Sequence, residues 1–313
     1  MTNLKTKSSP QVVTKSNRRV LIINGDDFGF SCGVNQAIIQ AHERGILTST
    51  SLMVTGEAFA EAVSLAQSHP NLAVGLHLVL VCGKAVLPDS EIPHLVDDKA
   101  NFSNKPDRAG LDYQFNTAAR QELKQEIRAQ LEKFRDTGLR LSHVDGHLHL
   151  HSHPVVLRAL MELVDEFNIK VIRLPREELR LTLNLDKSDL GNKLIWSIVF
   201  NRLRRYGEGL LKAKNISFAQ RVYGLLESGK MTEEYLLGLI GQIRANVVEI
   251  YSHPAFSIPD EPSNGPLGLG EAEYNALLSD RVRQMLLNSG FELTNYHNPD
   301  VITACRRNQD VIH

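Results

Sequence analysis

Cysteine is scarce: Cys32, Cys82 and Cys305 are the only three among 313 residues. An odd, widely spaced set builds no disulfide framework and fits a reducing compartment, so a cytoplasmic location is expected. Neither sign of charge dominates, with 35 Lys and Arg against 36 Asp and Glu and a formal net charge of −1. Without a basic excess, no nucleic-acid partner is expected. No apolar run approaches the ~18–20 residues that span a bilayer. Residues 1–18 are rich in Ser, Thr, Lys and Asn and lack an apolar segment, so they read as a disordered tail rather than a leader peptide. There is no Gly-rich phosphate loop and no G-x-S-x-G elbow, so nucleotide and serine-hydrolase chemistry lose support. What is present, 42% hydrophobic and 23% charged residues, is an ordinary globular balance.

β-branched apolar runs alternate with helical patterns, the signature of βα units on a parallel sheet. Strands are expected at Arg19–Asn24, Thr48–Val54, Leu72–Leu78, Leu141–His149, Lys170–Leu174, Val247–Tyr251 and Phe291–Asn295. Helices are expected at Gly33–Arg44, Glu57–Gln67, Ala118–Arg135, Val155–Phe167 and Glu271–Asn288. Residues 82–112, rich in Pro, Asp, Asn and Gly, read as a long surface excursion. Residues 188–244 read as a mostly helical insertion. The fold class is therefore α/β, a distorted (β/α) TIM-like barrel formed by residues 19–313 as one domain, with a doubly wound open sheet as the second choice. Both architectures put chemistry at the C-terminal ends of strands.

Unusual residues sit at those ends. The first strand runs into Asn24-Gly25-Asp26-Asp27. Adjacent carboxylates repel and call for a cation or a shared proton; a solvated turn with Asp27 capping the next helix is the plain alternative. His77 lies inside an apolar strand. From His143 to His153 a polar residue recurs at every second position, so an extended chain would put Asp145, His147, His149 and His151 on one face. Same-face neighbours lie roughly 6.5–7 Å apart, so one metal takes one or two of these histidines and the others serve as outer-shell or substrate contacts. Arg173 and His253 end two later strands. An arginine there can orient a carboxylate or stabilise an oxyanion, and a histidine can protonate a leaving amine. One carboxylate and two imidazoles would make a three-ligand site with open positions, suited to hydrolysing an amide or ester with a second carboxylate as base. A metal-dependent phosphoesterase and a non-catalytic sugar- or lipid-binding protein are the rivals.

The segments NGDDFGFSCGVNQAI, GILTSTSLMV, AVGLHLVL, SHVDGHLHLH, VIRLP and EIYSHPA, in this order, resemble the YdjC-like carbohydrate deacetylase family, which includes the chitooligosaccharide deacetylases. The resemblance implies a distorted barrel, a divalent metal (usually magnesium) and removal of acetate from an N-acetylated sugar. It implies Asp27, His77 and His147 as metal ligands and Asp26 as catalytic base. On the residues themselves, His253 is the candidate acid, with Arg173 and Asp145 as orienting groups. Two nitrogens and one oxygen also suit zinc. Gly25 stands where many members have alanine. The length of 188–244 is more similar to the branch associated with hopanoid lipid biosynthesis, which widens the expected substrate to glycolipids. Residues 194–214, apolar with interspersed Lys and Arg, suggest peripheral membrane contact or a homodimer surface.

Overall fold

Val20, Leu21, Ile22 and Ile23 are all buried, as a strand covered on both faces requires. They open β1 (Arg19–Phe28), followed by α1 (Cys32–Arg44), β2 (Ser49–Leu52), α2 (Phe59–Ser68) and β3 (Ala73–Leu78). Next come α3 (Pro106–Phe115), α4 (Thr117–Asp136), β4 (Leu141–Gly146), α5 (Pro154–Met161), α6 (Leu179–Leu185) and α7 (Leu190–Ala213). The chain continues through β5 (Arg221–Tyr223), α8 (Glu233–Gln242), β6 (Val247–Ser252), α9 (Leu269–Leu278), α10 (Asp280–Asn288), β7 (Phe291–Thr294) and α11 (Pro299–Asp310). The structure is a computed structural model. It describes residues 18–262, 264–266 and 268–310, with the side chains of 307–310 left aside. The tail read over 1–18 lies outside the described residues except for Arg18, which pairs with Glu292.

All strand pairs are parallel, in the order β4-β3-β2-β1-β6-β5. β7 pairs with the first half of β1 at Arg19–Ile22, and β2 with the second half at Asn24–Phe28. Bridges from Val144 to Ile172 and from Val171 to Ser217 carry the sheet onward from β4. The sheet thereby curls into a distorted α/β barrel of the TIM type. Among the described residues no helix is long and apolar enough to cross a membrane.

Strand alternation sorts β1 into two faces. Leu21 and Ile23 join the large core beneath the surrounding helices. Val20 and Ile22 point the other way and pack with Val171, Val222, Val247 and Tyr251. Continuing that second face upward puts Asn24 and Asp26 in the lumen.

Besides the histidine segment after β4, three segments differ from the sequence expectation. The 82–112 excursion ends in a helix, α3, and its loop is pinned by acids on α4: Glu126 accepts from the Val86 and Leu87 amides, and Glu122 from that of His94. Lys170–Leu174 forms isolated bridges rather than a named strand. The expected 271–288 helix breaks at Ser279, whose hydroxyl caps α10 by accepting from the Val282 amide. Residues 188–244 are mostly helical as expected, through α7 and α8, with the short β5 between them joining the sheet beside β6.

Candidate active site and metal centre

Asp26 faces the lumen by alternation, and by the same rule Asp27 should face away. It does not, because the β1–β2 register slips between Gly25 and Phe28 and Asp27 takes a left-handed φ of 65°. Such a backbone is costly for a non-glycine residue and marks a constrained position. Both carboxylates therefore serve one centre, although neighbours on a regular strand would oppose each other.

β4 ends at Gly146, and His147–Ser152 forms a tight 3-10 turn in which Leu148 and His149 have φ of 50° and 56°. The expected continuous strand of alternating histidines is thus overturned. His143 and Asp145 share a face; His147, His149 and His151 fan out from the turn to different partners. The His147 Nδ1 lies 3.0 Å from Asp27 Oδ1. The His149 Nε2 lies 2.7 Å from the Tyr251 hydroxyl. The His151 Nε2–H donates to the Arg173 carbonyl at 2.9 Å. His149 and His151 are held neutral, since burial lowers both pKa values, that of His151 to about 4.

Asp27, His77 and His147 converge from β1, β3 and the turn after β4. Asp27 Oδ1 is 3.1 Å from His77 Nε2 and 3.0 Å from His147 Nδ1, and the three candidate donor atoms lie within 4.8 Å of one another. On its far side, His77 Nδ1–H donates to Asp145 Oδ1 at 2.8 Å. That bond fixes the tautomer that leaves Nε2 free to coordinate, the usual arrangement behind a metal-binding histidine. The charges also fit a cation. Asp26, Asp27, Asp145 and Glu249 are four buried acids served by a single buried guanidinium, that of Arg173, which reaches all but Asp27, a formal −3 when the imidazoles are neutral. Burial opposes charge on His77, yet Asp145 and Asp27 override it and push its pKa up to about 10. A proton thus sits where a metal ion would supply the charge. Burial also opposes ionisation of Asp27, but His147 and His77 hold its pKa well below the usual carboxylate range. The residues present fit a divalent ion.

A second trio, Asp26, His77 and Asp145, has comparable spacing. Its positive charge is already supplied. Arg173 Nη1 and Nη2 donate to Asp26 Oδ2 and Oδ1 at 2.6 and 2.8 Å, and Nη2 also reaches Asp145 Oδ2 at 2.8 Å. Its Nε–H donates to Glu249 Oε1 at 2.6 Å. A directed relay backs this fork. Asn24 Nδ2 donates to Asp26 Oδ1 at 2.7 Å and to Ser51 Oγ at 2.8 Å, and Ser51 donates to Asp145 Oδ2 at 2.7 Å. His143 Nε2 lies 3.1 Å from Ser51 Oγ. Gly75 leaves room for that ring, since a Cβ there would come within 2.4 Å of His143 Cε1.

His253 stands apart from this fork. Its amide donates to Glu273 of α9, whose carboxylate also lies 3.9 Å from the His253 Nδ1, and its ring meets Tyr251 edge-on at 5.7 Å. Asn24, Ser51, Glu249 and Tyr251 were not singled out from the sequence. For Asn24, Glu249 and Tyr251 the signal was there, as polar residues at every second position in otherwise apolar strands, whereas Ser51 lies in the continuous polar run Ser49-Thr50-Ser51. Asn264 was also missed: its amide donates to Asp27 Oδ2 at 3.1 Å across 237 residues, and no local pattern announces it.

Residues 20–288 match the profile of the YdjC-like protein family. The chain belongs to that family. It is 28% identical to a carbohydrate deacetylase of Thermoanaerobacter pseudethanolicus, over 89% of this chain and 98% of the relative. With the carbohydrate deacetylase of Brevibacillus brevis it shares 45% identity over 48% of this chain, spanning 58% of that relative. A crystal structure from Enterococcus faecalis V583, provisionally named a cellobiose-phosphate cleavage protein, superposes with a TM-score of 0.71 at 26% identity, covering 90% of this chain and 98% of that one. The barrel described above is thus shared with that structure. The Asp27, His77 and His147 trio, the paired aspartates and the strained histidine turn all fall inside the matched range.

Proposed function

We propose that this protein is a metal-dependent deacetylase that cleaves the acetamide of an N-acetylated sugar, free or carried on a glycolipid, into acetate and an amine. The observation that carries the reading is the meeting of Asp27, His77 and His147 around one point beside an arginine-clamped Asp26. The named activities of the relatives support the same reaction class.

Asp27, His77 and His147 would hold the ion. When bound, a divalent cation polarises a carbonyl and lowers the pKa of water beside it. The chain's own groups supply the rest. Asp26 Oδ1 already accepts from Asn24 and Arg173, whereas Oδ2 accepts from Arg173 alone among these partners. The spare lone pair of Oδ2 is therefore the proton acceptor for the attacking water. Arg173 orients that carboxylate as a positioning residue, and its fork stops the carboxylate from swinging toward the ligand set. Asp145 sets the tautomer of His77. His253, braced by Glu273, protonates the departing nitrogen as the C–N bond breaks. Magnesium follows from the family resemblance, while the two-nitrogen, one-oxygen donor set equally suits zinc.

The test is acetate release from N-acetylated oligosaccharides, with phosphate release from phosphoesters as the competing assay and metal content measured on the same preparation. Asp26→Asn should retain the ion and lose at least ~10²-fold in acetate release, the usual worth of a general base. Undiminished turnover would remove Asp26 from the mechanism, and phosphate without acetate would defeat the deacetylase reading.

A further inference from the structure

The long helix α7 is built inside out. Its buried stripe is Lys193, Phe200, Arg204, Gly207 and Leu211, a spacing of one helical face. Charges hold much of that seam. Lys193 pairs with Glu227 and, at 3.2 Å, with Asp186; Arg204 donates to the Leu174 and Ala219 carbonyls at 2.6 and 3.1 Å. The apolar residues of its first half point to solvent instead: Leu190, Leu194, Ile195, Ile198, Val199 and Trp196, the last 51% exposed. Surface helices ordinarily show the reverse. Contiguous exposed apolar surface of this kind marks an interaction site.

The exposed face is part of a larger collar. Leu148, 52% exposed, sits at the tip of the strained turn that also carries His147. α3 adds Leu111 and Phe115, and it approaches the same turn, Gly110 lying beside His153. On the other side Phe200 of α7 packs edge-on against His149 at 5.7 Å. Three separate elements thus raise solvent-facing hydrophobes around the turn that supplies a metal-centre residue. The charge on α7 is one-sided: Lys193, Arg202, Arg204, Arg205 and Lys212 against Glu208 alone, with Arg202 and Arg205 exposed just beyond the apolar half. An apolar face with a tryptophan, followed by exposed arginines, matches a helix lying in the interface of an anionic bilayer. A second copy of this chain seated on the same face would bring its own Arg202 and Arg205 against this pair.

We propose that the α7 face, with Leu148 and the α3 residues, docks this protein on an anionic lipid surface and turns the mouth of the metal centre toward it. The inference extends the deacetylase reading by placing the acetylated headgroup at that surface. Trp196 is the sole tryptophan in the chain, so its emission reports on this face without a label. The full chain would be mixed with vesicles of phosphatidylglycerol and phosphatidylethanolamine, or of phosphatidylcholine alone, then followed by fluorescence and flotation. Expected are a blue shift and flotation with the anionic vesicles, weaker binding to phosphatidylcholine, and loss of both signals in the Ile195→Asp/Ile198→Asp double variant. Both positions are exposed, so the variant should melt as the parent does and release acetate from a soluble oligosaccharide at the parent rate.

Unchanged emission with all protein in the soluble fraction overturns the proposal. So does undiminished vesicle binding by the double variant, or a lipid-free dimer that buries Trp196. The two readings separate cleanly. Acetate release without vesicle binding removes the docking alone, whereas vesicle binding without acetate release from any N-acetylated substrate removes the deacetylase assignment and leaves the docking in place.

Discussion

Replacing Arg173 with methionine tests how the lumen is held together. The guanidinium is wholly buried and contacts three buried carboxylates, Asp26, Asp145 and Glu249, at 2.6–2.8 Å. Methionine fills similar length but leaves those acids facing one another without a counter-charge. Removing one partner of a buried pair costs about 3–5 kcal/mol, mostly from the stranded charge. With an unfolding entropy of about 2.1 cal/mol/K per residue, 313 residues give about 0.66 kcal/mol/K. The loss corresponds to a fall in melting temperature of about 5–8 °C. The pH dependence has a definite sign. Burial works against ionisation of Asp145, but Arg173 and His77 override it and hold its pKa well below the usual range. A depressed folded-state pKa contributes stability that is present above the unfolded value, about 3.9, and is lost as pH falls through the folded value. The gap between parent and variant should therefore be full at pH 7 and close as acid protonates these groups. Thermal melts at matched scan rates from pH 7 down to about pH 2, across the range below the unfolded carboxylate value, measure it. A variant that melts within about 2 °C of the parent at pH 7, or a gap that widens in acid, would refute the electrostatic account. Arg173→Lys should fall between the two, because it restores charge without the planar fork.

Asp145→Asn should weaken metal affinity about 10–100-fold, the usual cost of losing the partner that orients a ligating histidine, which titration calorimetry would register. His253→Ala should lower the turnover number more than the affinity for substrate; parent-like acetate release would exclude it as the acid. Gly75→Ala should destabilise by about 1–3 kcal/mol, because the new methyl meets the His143 ring at 2.4–2.7 Å and forces it off Ser51. A denaturant midpoint equal to the parent's would show that the ring has room.

Alternation was legible in the sequence, and it carried far. Apolar runs of β-branched residues marked most strands to within a few residues, and the polar positions inside them pointed at a lumen. His77 stood out as the odd residue in AVGLHL for that reason. The failure came where local rules stop. From His143 to His153 the sequence keeps its two-residue beat, but the backbone abandons it after Gly146, and two left-handed residues, Leu148 and His149, send the later histidines to other partners than the strand would give. A spacing rule presumes one conformation, and nothing within eleven residues says that the conformation changes.

By itself the sequence determined the chemistry available: which acids, imidazoles and guanidinium exist, and that strand ends would present them. Tertiary structure decided which of them share a charge. Asp26 and Asp27 are adjacent in the chain yet have different partners, one clamped by Arg173 and the other facing two histidines, because a single register slip rotates one carboxylate about the strand. The same holds for α7. Its composition announced an amphipathic helix, but only packing decided that Lys193 and Arg204 go inward while Leu190, Leu194 and Trp196 go out. Buried partners such as Glu227 and Asp186 lie elsewhere in the sequence, and the fold alone brings them beneath the helix.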